Sequence, residues 1–114
     1  MSNIEEESLF PQELISRAER RPESDELLWR LSDMDAVICA LEKMGKAILG
    51  FDVFAREADV LKVLAYPDFS AELKEIAKPA DRLRRSMVMA RDFMRTQKSS
   101  DQLRFTVTWE RRNF

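Results

Sequence analysis

The segment from Trp29 to Phe54, WRLSDMDAVICALEKMGKAILGFDVF, leaves this chain few folds to choose from. It holds an amphipathic helix, a glycine stop and a strand in immediate succession. Ser32 reads as the helix N-cap, and Asp35 three residues on completes a capping-box pattern. Met34, Val37, Ile38, Leu41 and Met44 recur at i, i+3, i+4, i+7 and i+10, which is one helical face. Gly45 stands where a left-handed residue closes a helix. Lys46 to Phe54 then alternates as a strand, with Ala47, Leu49, Phe51 and Val53 on one side. Ile48, Gly50, Asp52 and Phe54 take the other. A helix with an apolar stripe, followed at once by a strand with an apolar side, calls for a helix laid over a sheet.

The rest of the chain fills in that layer. Residues 1–25 read as an acidic tail with Glu5, Glu6 and Glu7, then a short helix opened by Phe10-Pro11. Leu14, Ile15 and Ala18 give that helix a stripe, and it should end near Arg20, before Pro22. Arg21 to Glu26 reads as a charged connector. Residues 26–114 form a single domain. Arg56 to Asp59 is a turn, and Val60 to Tyr66 is the hairpin partner, ended by Pro67. Residues 67–79 form a loop with a helical turn. Ala80 to Gln97 is helical, with Leu83, Met87, Ala90 and Met94 on one face and Ser86 and Phe93 at its edge. After a polar turn, Leu103 to Glu110 alternates: Leu103, Phe105, Val107 and Trp109 inward, Arg104, Thr106, Thr108 and Glu110 outward. The expected fold is α+β: a three-stranded antiparallel sheet with helices packed mainly on one face.

Composition narrows the chemistry. A chain of 114 residues can bury one core without staples. Histidine is absent, which removes the commonest general base and metal ligand. Cys39 is the single cysteine, so no intramolecular disulfide can form and structural zinc is excluded. With no histidine to activate it, Cys39 reads as a small core residue. The only glycines are Gly45 and Gly50, too few for a phosphate-cradling loop. No cofactor and no metal are expected, and no motif points to a catalytic pair, so the reading is non-enzymatic. The acidic N-terminus does not resemble a signal peptide, and no stretch approaches the ~18 apolar residues of a membrane span. A soluble cytoplasmic protein is expected, with no membrane partner.

Charge is unevenly spread. Residues 1–59 carry 14 acids and 7 bases, and residues 60–114 carry 7 acids and 12 bases. Arg84, Arg91 and Arg95 share one side of the helix at 80–97, near Arg82, Arg85, Lys98, Arg111 and Arg112. That face could grip phosphates, which makes a nucleic-acid-binding accessory protein the alternative function. The negative total charge, and the lack of aromatics among these arginines, favour a solvated helix face instead. The outward side of the sheet is more suggestive. Ile48, Asp52, Phe54, Tyr66 and Asp68 are the candidate partner-binding residues there, because apolar and aromatic groups mixed with charge suit a protein contact. Two arrangements are open. That face is exposed, or the N-terminal helix folds Leu14 and Ile15 across it.

These residues also resemble a known family. Trp29, the helix from Ser32 to Met44, Gly45 and the strand AILGFDVF are similar in order and spacing to the immunity protein 40 family of bacterial polymorphic toxin systems. Members show an aromatic before a Gly-terminated helix and a strand close to AVLGGDVY. Gly50, Asp52 and Val53 match, Phe54 stands for the tyrosine, and Phe51 replaces the second glycine. YPDFS (Tyr66 to Ser70) is a loose echo of the family's Asp- and Trp-containing segment, without its tryptophan. SMVMARDFM (Ser86 to Met94) and the terminal FTVTW fit as well. The similarity spans about residues 26–110. It implies a protein that neutralises a cognate toxin by binding it, with no substrate turned over.

Overall fold

The computed structural model describes residues 9–98 and 100–110. The elements run α1 (Gln12–Arg17), β1 (Glu19–Arg20), β2 (Leu27–Leu28), a 3-10 turn (Leu31–Asp33) and α2 (Met34–Lys43). They continue with β3 (Ile48–Glu57), β4 (Val60–Ala65), α3 (Ser70–Lys74), α4 (Pro79–Arg95) and β5 (Leu103–Trp109). The main sheet is antiparallel in the order β4-β3-β5, so the fold is α+β as expected. The acidic tail at residues 1–8, and Arg111 and Arg112, lie outside the described residues.

The helix stripes explain the main core. Met34, Val37, Ile38 and Leu41 of α2 are buried, together with Met87 and Ala90 of α4. They meet Phe51 and Val53 of β3 and Phe105, Val107 and Trp109 of β5. Phe93 of α4 stacks on Phe51 at 5.7 Å and 14°. Leu14 and Ile15 of α1 belong to this same cluster. α1 therefore packs on the helical side and does not cross the outward face.

The helix ends divide the expectations. Gly45 has φ 69°, and its N–H donates to the Glu42 carbonyl while the Lys46 N–H donates to that of Leu41. This is the double bond pattern of a Schellman close. Ser32, however, is not the cap. It sits inside the 3-10 turn, α2 starts at Met34, and no side chain among the described residues caps it. Met44, just past the end, is half exposed.

One inserted residue changes the parity of β3. Ile48 pairs with Trp109, and Gly50 already pairs with Thr108, so Leu49 is an extra residue in β3. Such a bulge rotates one stretch of a strand relative to the next. Ile48 consequently joins Phe51 and Val53 in the helix-side core, fully buried. Its backbone N–H donates to the Ser86 hydroxyl at 3.0 Å, and that hydroxyl donates to the Leu83 carbonyl.

Residues 21–26 are not a loose connector. They turn the β1–β2 hairpin, closed by the Arg21 N–H on the Glu26 carbonyl at 2.8 Å. Trp29 then lies along the free edge of β5. It exchanges both backbone hydrogen bonds with Phe105, at 2.9 and 2.8 Å. Arg104, Thr106 and Glu110, expected in solvent, are buried. Glu19 of the hairpin accepts from Arg104, and it also pairs with Arg56 at 2.7 Å. Burial opposes ionisation of Glu19, yet the two guanidiniums outweigh it and hold the carboxyl below its usual range. The hairpin thus covers the Phe54–Arg104 half of the second sheet face.

Candidate functional site

The uncovered half of that face is built around Gly50. The segment after β4 continues alongside β3 in the same antiparallel sense. The Phe51 N–H donates to the Pro67 carbonyl at 3.1 Å, and the Phe69 N–H to that of Leu49 at 2.7 Å. This bridges Gly50 to Asp68. A Cβ on Gly50 would stand 2.4 Å from the Pro67 oxygen and 3.3 Å from the Asp68 Cα. Both neighbours are backbone, so only glycine lets the two segments close. Gly50→Ala is therefore expected to cost about 1–3 kcal/mol, as overpacking does, and to loosen the turn at residues 67–70. A urea melt, with amide exchange read at Phe69, checks both effects.

A recess of about 310 Å³ opens there, lined by Gly50, Asp52, Tyr66, Asp68, Ser70 and Thr108, among others. Asp68 is fixed by a short-range turn: its carboxylate accepts from the Ser70 hydroxyl at 2.6 Å and from the Ser70 N–H at 2.9 Å. Those two bonds hold the carboxyl below its usual range, so it carries its charge near neutral pH. Tyr66 stands largely in solvent above the recess. Beside it runs β4, the outer strand, where Val60, Val63 and Leu64 are each more than half exposed.

The five candidate residues separate into two groups. Asp52, Tyr66 and Asp68 come together at the recess. Ile48 does not, because the Leu49 bulge turns it into the core. Phe54 does face outward from the helices, but the hairpin buries it, with the Arg21 guanidinium 5.0 Å from its ring centroid. Three contributors were overlooked in sequence: Thr108, Ser70 and the close approach that Gly50 permits. The Asp-x-Ser spacing at Asp68 and Ser70 is a readable turn signature.

The arginine-rich helix has a different character from the one its sequence suggests. Arg82 is buried against Glu110 at 3.4 Å and donates to the Ile76 and Ala77 carbonyls. Arg84 pairs with Asp81, Arg85 with Glu72 and Arg95 with Asp92. Arg91 is held by both oxygens of Glu42, and its bonds push the Glu42 carboxyl below its usual range. Cys39 sits beside that arginine, half buried. Among the described residues, no three Cys, Asp or Glu side chains converge in a way that could hold a metal ion. Nor, among them, is any helix long and apolar enough to cross a membrane. No protein-family model, curated protein or solved structure matches the chain.

Proposed function

We propose that this protein is a non-enzymatic immunity protein that binds and neutralises a cognate bacterial protein toxin. The observation that carries the reading is the open end of the sheet. There an exposed tyrosine, two carboxylates and an apolar outer strand form one continuous surface. Mixed aromatic, apolar and charged character of this kind suits protein recognition. The resemblance of residues 26–110 to the immunity protein 40 family supports the same reading, and it includes Gly50 and Asp52, which build the surface. The arginine helix supports the nucleic-acid alternative less well, since its cations are matched by neighbouring carboxylates.

The test is direct. A toxin encoded beside this gene should form a stoichiometric complex with the purified protein. Its Kd should be about 1 nM or tighter, as titrating a lethal target demands. Co-expression should restore growth. Tyr66→Ala leaves the core untouched and should weaken the complex by about 2 kcal/mol or more, as loss of an aromatic anchor does. Turnover of a substrate by the purified protein, or salt-sensitive RNA binding lost on replacing Arg84, Arg91 and Arg95, would overturn the reading.

A further inference from the structure

β4 ends the main sheet, and no backbone hydrogen bond from a described segment other than β3 reaches its residues. Its outward N–H and C=O groups are therefore open to another strand. Proteins ordinarily blunt such an edge with charge or irregularity. Here the protection is slight. Lys62 is the only charged residue of β4, and a register break opposite Val53 and Phe54 leaves Leu64 as an extra residue. Val60, Val63 and Leu64 remain more than half exposed. A lightly protected apolar edge is still a template for strand addition.

The charges at its two ends indicate what would dock. At the hairpin end stand Glu57 and Asp59, both exposed. At the other end stand Asp52 and Asp68, flanking the recess under Tyr66. Arg20, Arg21 and Arg56 line the same hollow as Asp59, Val60 and Leu61, each paired with a carboxylate of its own. The edge therefore runs mixed but net acidic, then apolar around Lys62, then acidic. A second copy of this chain fits badly. Antiparallel self-pairing centred on Lys62 sets two lysines opposite each other. Centring it on Val63, or within half a residue of it, brings Asp68 of one copy against the Glu57–Asp59 segment of the other. Like charges placed opposite each other across strands are destabilising.

We propose that β4 accepts an extended strand from a partner protein, one with an apolar centre and a basic residue at each end. One of those basic side chains enters the recess between Asp52 and Asp68. This rests on the reading of the chain as a protein binder and names how the partner is held. The partner's backbone supplies ladder hydrogen bonds, and its basic ends supply register.

The probe is a short synthetic peptide of β-branched residues flanked by arginines, titrated into the whole protein labelled with ¹⁵N. Amide shifts should concentrate on residues 60–68. A peptide with glutamates in place of the arginines should bind at least about tenfold more weakly, the order expected for losing close charge pairs. The double variant Asp52→Asn and Asp68→Asn keeps both shapes and should erase most of that preference. Its thermal melt should drop slightly at most, since the amide oxygen at position 68 can still accept from Ser70. Equal binding of the two peptides, shifts confined elsewhere, or self-association through β4 in sedimentation would each overturn the proposal. The two readings can fail separately. A toxin complex that leaves the β4 amides unperturbed sinks the docking edge and spares the immunity reading. Peptide docking as described, with no toxin neutralised, does the reverse.

Discussion

Trp29→Ala is expected to cost about 3–5 kcal/mol, the range for deleting a large buried aromatic. Trp29 is almost wholly buried and meets Phe10 edge-on at 5.0 Å and 65°. Its backbone is paired to Phe105, so the side chain fills the junction where the N-terminal segment joins the sheet. Since a domain of this size has about 5–15 kcal/mol in all, the variant should stand near its unfolding threshold. Trp29→Phe should be far milder, at less than about 1.5 kcal/mol, because it keeps a ring against Phe10. It also removes the indole Nε1, which is buried without a hydrogen-bond partner among the described residues. Guanidinium denaturation of the two variants checks the contrast. Equal losses would show that indole shape, not apolar contact, holds the junction.

The second large effect concerns a charge. Arg82 and Glu110 are both buried, and they tie the start of α4 to the end of β5. Glu110→Ala removes that carboxylate, while the Arg82 guanidinium keeps its bonds to the Ile76 and Ala77 carbonyls. Breaking a buried pair from one side costs up to about 3–5 kcal/mol. Replacing both residues, Arg82→Met with Glu110→Leu, should cost less than the single change, since apolar groups of similar size often substitute for a buried pair. Urea melts of the single and double variants measure the difference. A single variant within about 1 kcal/mol of the parent would mean the pair behaves as a solvent-exposed one.

What could be read in the sequence was whatever a regular period carries. The stripe of α2, the stop at Gly45 and the alternation of β5 all follow from repeats of 3.6 or 2 residues. The structure keeps all three, with only Met44 falling off the stripe. Bulges have no such period. Leu49 looks like an ordinary strand residue, and only the pairing with β5 reveals it as the insertion that moves Ile48 to the core. The β1–β2 hairpin was hidden for another reason. Its strands are two residues long, one of them Glu19–Arg20, and no alternation can show over that span. Without that hairpin in view, the sequence leaves open whether the outward face with Phe54, Arg104 and Thr106 is exposed or covered. The element that covers part of it is β1–β2 rather than α1. Asp52, Tyr66 and Asp68 converge because the chain after β4 stays beside β3 and sets Asp68 opposite Gly50, where glycine permits the close approach.

The meeting of Phe10 with Trp109, edge-on at 5.8 Å, carries a consequence for synthesis. These rings come from the first and the last stretches of the described chain. Contacts so distant in sequence form late, after the loop between them has closed. On the ribosome the N-terminal segment emerges long before β5 exists, so Phe10, Leu14 and Trp29 wait without their partners. The core can be sealed only once the final strand has left the exit tunnel. Until that moment a nascent chain holds its apolar N-terminal stretch open to whatever else is in the compartment.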